Sequence, residues 1–405
     1  MRKLLPLYVV IFIAFLGISM SILIFTEFTM NLKTSSLPKS YTFAQRSLLF
    51  GILTSVYPLG QFLGSPVLGA LSDRYGRRPI LIWTLLFTIV AYVFVSLSLH
   101  SVAVIWICIT LFLAGIGEAN MVIAQGAIAD TSEKRKRAHL FGYITVVASS
   151  AYIVGPIFGG QLSNPTIVKW FNYSTPYWIV TGLLVLIFLW IFFGFKETHK
   201  KENRKHIKWV SALTNLTTIF TDKAVRKFYM VNFLAYIAIF GYFRLFPLYV
   251  ADQYDTTQSL LSYVIAWVSV PLIIVNSFFI KPLLKHFRHK YLFEFSLWMI
   301  GIGSIFTIFF QPFGFIWIST CFTTIFIAIA LTVSITVISN KVSHAKQGRV
   351  LGNNLSLQVI PQIVIGIIGG SLAIASIKLP LLMCSAFAIA AAVFSIKLDY
   401  SPVDN

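Results

Sequence analysis

Runs of about twenty apolar residues, separated by short polar turns, recur from one end of this chain to the other. Each is long enough to cross the hydrocarbon of a bilayer as a helix. Inside lipid the backbone finds no water to bond with, so an isolated run of that length must satisfy its own peptide groups, and a helix does so. By that ruler spans fall near residues 5–27, 47–71, 79–99, 102–129, 140–162 and 177–195. After a polar stretch six more fall near 227–250, 259–281, 290–310, 313–340, 348–372 and 379–398. The expected fold is an all-α integral membrane protein of twelve transmembrane helices. Charged residues are 11% of the chain, against about 25% in soluble domains. The first run continues to about Phe25 with no small-x-small cleavage site, so it reads as a span and not as a removable leader. Cys108, Cys321 and Cys384 lie in separate apolar runs, which argues against a disulfide framework.

The net charge of +19 would suggest nucleic acid in a soluble chain. Here the cations sit in clusters between apolar runs, which is how membrane topology is written. Of 32 lysines and arginines, Lys33, Lys39, Arg46, Lys169 and Lys378 fall on one side of the arrangement and Arg244 inside a span; the others share the opposite side. That asymmetry predicts a multi-pass protein of the cell membrane with both termini cytoplasmic, the inner membrane in a Gram-negative cell. The stretch 196–226 divides two six-helix bundles, 1–195 and 227–405. It reads as a cytoplasmic linker containing a short surface helix around Trp209 to Phe220, whose Trp209, Leu213, Leu216 and Phe220 share a face. Gly142, Gly159 and Gly160 recur as Gly352, Gly369 and Gly370, displaced by 210 residues, so the two bundles read as pseudo-symmetric repeats.

The turn from Gly69 to Leu81, GALSDRYGRRPIL, joins the second and third spans. Its Asp73, Arg74, Arg77 and Arg78 cannot lie in hydrocarbon, its glycines permit positive φ or close approach, and Pro79 suits the first turn of a helix. The pattern G-x-L-x-D-R-x-G-R-R resembles the one between helices 2 and 3 of the major facilitator superfamily, carried here by Gly69, Leu71, Asp73, Arg74, Gly76, Arg77 and Arg78. In that superfamily two parallel six-helix repeats are related by an axis along the membrane normal. The resemblance further implies that Arg77 pairs with Asp130, and that Asp73 faces the positive end of helix 11 near Gly348. These contacts would latch the cytoplasmic side shut in an outward-open state.

Two further spans carry motifs. The fifth holds Gly142, Ala151, Gly155-Pro156 and Gly159-Gly160, which resembles the helix-5 motif of the family's antiporters with Ala151 replacing the middle glycine. In the family this motif accompanies export in exchange for protons; the alternative is a packing kink with no bearing on direction. The fourth span carries Glu118 near its midpoint, where an acid costs about 2.5–3.5 kcal/mol. Leu111, Glu118 and Gln125 are seven residues apart and share one helix face. A carboxyl withdrawn from water at that depth can take up a proton, the property a proton-coupled carrier needs. The helix-4 pattern of drug:proton antiporters, R-x-x-x-G followed by a small residue and an acid, is matched by Gly115, Ala129 and Asp130, but Leu111 stands at the arginine position. Glu118 thus reads as a proton carrier, a counter-ion for a cationic substrate or a structural acid.

Gln61, Leu111, Gln125, Asn354, Gln358 and Gln362 are candidate cavity-lining residues, the last three sharing a face at i, i+4, i+8. Glu27 and Arg244, on helices 1 and 7, are candidates for an outer-gate ion pair. Alternatively Arg244 is an anion site, or Glu27 reaches interfacial water. No phosphate-binding loop, no complete metal-ligand set and no nucleophile–base constellation is present. The reading is a secondary transporter of the drug:proton antiporter type, with efflux and multidrug resistance as its expected setting. It is neither an enzyme nor a cofactor protein, and its coupling ion is the proton. It works as a monomer in the lipid bilayer on a small organic substrate, with no nucleic-acid partner. Metabolite uptake by symport or facilitated diffusion is the alternative, and a transporter-like receptor or membrane-embedded enzyme a more distant one.

Overall fold

The computed structural model describes residues 4–31, 37–101, 103–131, 134–198, 226–254, 256–310, 312–340 and 344–398. Side chains at 134–139 and 344–353, among others, lie outside that description, and so do nearly all of the expected linker and its surface helix near Trp209. Among the described residues every regular element is a helix. The first are α1 Leu5–Met30, α2 Phe43–Tyr75, α3 Arg77–Ser101, α4 Val104–Glu118, α5 Asn120–Asp130, α6 Lys134–Leu162 and α7 Thr175–Gly194. Then come α8 Arg226–Tyr254, α9 Gln258–Ile274, a π-helical turn Val275–Phe279 and α10 Ile280–His286. The last are α11 His289–Phe309, α12 Phe313–Asn340, α13 His344–Ala375 and α14 Leu379–Ile396.

Eleven stretches among the described residues are long and apolar enough to cross a membrane, and Val146–Leu162 within α6 is a shorter apolar helix. The difference from the expected twelve lies at the fifth span. Two spans are interrupted. Val104–Asp130 breaks at Ala119, where the Ala119 N–H donates to the Ile116 carbonyl (3.3 Å) and the Val122 N–H to the Ala119 carbonyl (3.0 Å). Those i→i−3 bonds tighten the helix for one turn. Gln258–His286 carries its π turn just after Pro271, which supplies no donor to the ladder.

The chain separates into two compact units. One comprises Met1–Ser40, Ile52–Ala212 and Thr257–Ala266; the other comprises Tyr41–Gly51, Leu213–Thr256 and Trp267–Asn405. Each takes in a short segment from elsewhere in the sequence, so the units differ from two contiguous halves at the starts of α2 and α9. In the first unit α1 runs along α6, and α3 packs against α4 and α7. In the second, α8 packs against α13 and α14, and α11 against α12 and α14. Helices α1 and α8 are interior, with 78% of their most apolar stretch buried, whereas α7 buries 33% and turns Leu186, Trp190 and Phe193 outward. In a bilayer that outward face meets lipid tails, so its apolar character costs nothing there.

Helices α2 and α4 touch backbone to backbone. A Cβ on Gly115 would collide with the Tyr57 carbonyl oxygen, and one on Gly60 with the Phe112 carbonyl oxygen. Neither obstacle is a flexible side chain, so a larger residue must part the helices. Gly115→Leu is expected to cost about 1–3 kcal/mol or more, read as a lower unfolding midpoint of the purified protein in detergent. An unchanged midpoint would mean the helices are not in contact.

Candidate functional site

Glu118 ends α4 immediately before the break at Ala119, and it is 1% exposed. The Tyr92 hydroxyl of α3 donates a hydrogen bond to its Oε1. The Tyr92 ring lies 5.7 Å from that of Tyr177 on α7, tilted by 55°, and the Tyr177 hydroxyl shares a 2.6 Å hydrogen bond with Ser21 Oγ of α1. Ser21 Oγ also donates to the Gly17 carbonyl at 2.6 Å. Gly17 completes the cluster: a Cβ there would collide with the Tyr92 hydroxyl and lie 2.8 Å from Glu118 Oε1. Four helices, α1, α3, α4 and α7, thus close over one acid. Its Oε2 has no hydrogen-bond partner among the described residues, and no ion pair is formed by it there. Asn120 Oδ1, just past the break, is likewise buried without a partner.

Exposure varies along the expected stripe of the fourth span. Leu111 and Glu118 are enclosed at 1% exposure each, whereas Gln125, beyond the break on α5, is half-buried. Gln61 on α2 is also enclosed, and its Nε2 has no partner among the described residues. Tyr92, Tyr177, Ser21 and Gly17 were not singled out from sequence. The available signal was weak: hydroxyls recur several times in each of these runs, and a buried polar group needs a partner without its sequence naming which.

The residues of the helix-5 motif pack α6 against the other side of α1. Ser19 Oγ donates to the Ala151 carbonyl (3.0 Å), and a Cβ on Gly155 would run into Ser19 Oγ. A Cβ on Gly159 would lie 3.1 Å from Met20 Cβ, and one on Gly160 2.8 Å from Leu23 Cδ2. Pro156 lies inside the helix between them. Gly142 is helical, in a stretch where neighbouring side chains lie outside the description.

The second unit holds a neutral network. Asn354 of α13 bonds Tyr236 of α8 through Oδ1 (3.1 Å) and Nδ2 (2.8 Å), and Asn232 Nδ2 donates to the same Oδ1 (3.1 Å). Ser334 of α12 shares a 3.1 Å bond with the Tyr236 hydroxyl, and Gln358 reaches it at 3.4 Å. Arg244, 3% exposed, donates from Nη2 to Gln362 Oε1 (3.3 Å). The Asn354–Gln358–Gln362 face is therefore directed onto α8. Glu27, 2% exposed, accepts from Asn31 Nδ2 (2.8 Å) on its own helix end.

At the α2–α3 turn Gly76 has φ +104°, in the left-handed region that favours glycine. The Arg77 guanidinium reaches Asp73 (2.6 Å), Asp130 (2.9 Å) and Ser72 Oγ (2.6 Å), and it lies over Gly126 of α5, where a Cβ would sit 2.9 Å from its Cζ. Arg74 stacks on the Tyr75 ring at 5.2 Å. Gly69 is loosely packed, with Val122 3.7 Å from where its Cβ would be. Gly348 lies in the stretch of α13 whose side chains are outside the description. Glu197, just past α7, was not foreseen. Its Oε1 accepts from the Arg77 N–H (2.9 Å) and its Oε2 from the Arg78 N–H (3.0 Å), while Arg78 Nη2 donates to the Phe192 carbonyl (2.7 Å). One carboxylate from α7 thereby caps the first turn of α3, where unpaired N–H groups and the helix dipole favour an anion. Glu197→Ala is expected to cost about 0.5–2 kcal/mol, as loss of a helix cap does, and to speed protease cleavage at the α2–α3 turn. Equal cleavage rates would show that the cap is not holding the turn.

The sequence profile described as Major Facilitator Superfamily matches residues 7–283 and 228–405. The chain is 26% identical over 252 residues to the tetracycline resistance protein, class C, of Escherichia coli, covering 60% of this chain and 59% of that protein. It thus spans under two thirds of that relative's length. It is 24% identical over 383 residues to multidrug resistance protein 2 of Bacillus subtilis strain 168, covering 92% and 89%. Among solved structures, the human organic anion transporter MFSD10 (TETRAN) superposes with a TM-score of 0.73 at 14% identity over 97% of this chain and 99% of that one. A D-xylose-proton symporter superposes at 0.75 with 13% identity over 97% of each chain. With the profile matched along nearly its whole length on an all-helical, multi-span fold, the chain belongs to the Major Facilitator Superfamily, whose members are membrane transporters and not enzymes.

Proposed function

We propose that this transporter exports a small organic solute in exchange for protons, with Glu118 as the proton carrier. The observation that carries this reading is an acid enclosed at the break of the fourth span with no cation beside it among the described residues. An ionised carboxylate so placed costs several kcal/mol, and a bound proton removes that cost. A site of this kind releases its proton only when the helices around it move, which is what coupling to a conformational cycle requires. Export as the direction is supported by the helix-5 motif and by relatives named for tetracycline and multidrug resistance.

The cycle would be alternating access by rocking of two six-helix halves, 1–195 and 227–405, joined by 196–226. The distribution of lysine and arginine supports cytoplasmic termini. In that orientation the Asp73–Arg77–Asp130 cluster with Glu197 would serve as the cytoplasmic latch, and Glu27 and Arg244 would belong to the outer gate. Gln358 and Gln362, half-buried and bonded to Tyr236 and Arg244 of α8, are the polar side chains of that face that would meet a solute.

In proteoliposomes with tetracycline as the first probe, followed by a panel of amphipathic drugs, an imposed proton gradient is expected to drive accumulation by the native protein. Glu118→Gln is expected to abolish that accumulation while leaving solute counterflow and the unfolding midpoint unchanged. Unaltered gradient-driven transport in that variant would remove Glu118 from the mechanism.

A further inference from the structure

We infer that Tyr92 is the positioning residue for the proton on Glu118, and that the gap left by Gly17 in α1 is what admits it. The inference rests on Glu118 being the proton carrier and adds the residues that shape the site. The two oxygens of Glu118 are inequivalent. Oε1 accepts from the Tyr92 hydroxyl, and Oε2 has no partner. A proton drawn from water therefore forms its O–H bond on Oε2, the carboxylate goes from one negative charge to none, and Tyr92 continues to donate to Oε1; nothing leaves the site. Whichever oxygen the carboxyl turns toward Tyr92 takes the hydroxyl's hydrogen bond and leaves the other for the proton.

The titratable groups facing this acid are Tyr92 from α3 and Tyr177 from α7; α1 contributes Gly17 and Ser21. No lysine, arginine, histidine or second acid pairs with it among the described residues. Gly17 matters because the space a Cβ would fill is occupied by the Tyr92 hydroxyl. Four residues on, Ser21 holds Tyr177, whose ring flanks that of Tyr92. Helix α1 therefore bears on both tyrosines, and a displacement of α1 changes the Tyr92 hydrogen bond to Oε1, on the same carboxyl as the protonated Oε2.

Infrared titration of the full-length protein in lipid bilayers tests this without a transported solute. The native protein is expected to show a protonated-carboxyl C=O band that declines as pH rises and that is lost in Glu118→Gln. In Tyr92→Phe the same band should persist but move to higher wavenumber, because Oε1 has lost its donor. G17A should move it in the same direction with both reacting side chains intact, whereas Tyr177→Phe should leave it in place. A band unmoved in Tyr92→Phe overturns the inference while leaving Glu118 as carrier, and one moved there but unmoved in G17A overturns the role of Gly17. Absence of any Glu118-dependent band overturns the proton-carrier reading itself. Where G17A does not fold, the Tyr92→Phe spectrum decides alone.

Discussion

Water is missing from the interior of a bilayer, and many buried polar groups in this fold are arranged around that absence. Hydroxyls return to their own helix one turn back: Thr88 to the Thr84 carbonyl (2.8 Å), Ser296 to that of Leu292 (2.7 Å) and Ser304 to that of Ile300 (2.8 Å). Those that cannot do so bridge helices, as Ser385 does to the Gly301 carbonyl (2.8 Å) and Ser19 to that of Ala151 (3.0 Å). Gln61 Nε2 and Asn120 Oδ1 aside, many neutral groups among the described residues are satisfied by such arrangements. An acid is not, because a single hydroxyl donor does not offset a full charge in low dielectric. Glu118 is therefore a group whose chemical state depends on the helices that surround it.

Helix α1 is the element through which that influence passes. One of its faces, at Ser19, Met20 and Leu23, lies in the groove made by Gly155, Gly159 and Gly160 of α6; another, at Gly17 and Ser21, bears on the two tyrosines beside Glu118. Small residues are what permit both approaches, since association of helices in lipid depends on close packing and hydrogen bonds. The antiporter-like motif and the buried acid, unrelated as sequence features, thus meet on a single helix. A kink or tilt in α6 cannot be absorbed by a loose contact, because the glycines leave no slack.

The two units solve the polar problem differently. In the second, Tyr236 gathers Ser334, Asn354 and Gln358, with Arg244 held by Gln362, so its network joins several helices through neutral groups and one cation. In the first, the cluster is smaller and is centred on an acid. The α2–α3 turn adds a third, surface-level arrangement in which Arg77 bridges Asp73 and Asp130 and Glu197 closes the helix end. The Arg77–Asp73 pair, with Asp73 63% exposed, contributes little by itself; the two backbone N–H bonds to Glu197 are the more geometrically demanding feature.

Much of this was legible in the chain itself. Span positions follow from the length of apolar runs, because a lipid-exposed backbone tolerates nothing but a helix, and the G-x-L-x-D-R-x-G-R-R turn marked the family because its charges and glycines recur at fixed spacing. Sequence also isolated Glu118, since an acid amid apolar residues is costly wherever it points. Only tertiary structure decided where it points. The closing of α1, α3 and α7 over the acid leaves Glu118 1% exposed, while Gln125, beyond the break at Ala119, is half-buried. The partners Tyr92, Tyr177, Ser21 and Glu197 come from chain positions far from the groups they contact. Helical periodicity reports which residues share a face, but which neighbour covers that face depends on contacts between distant segments, and no local pattern records them.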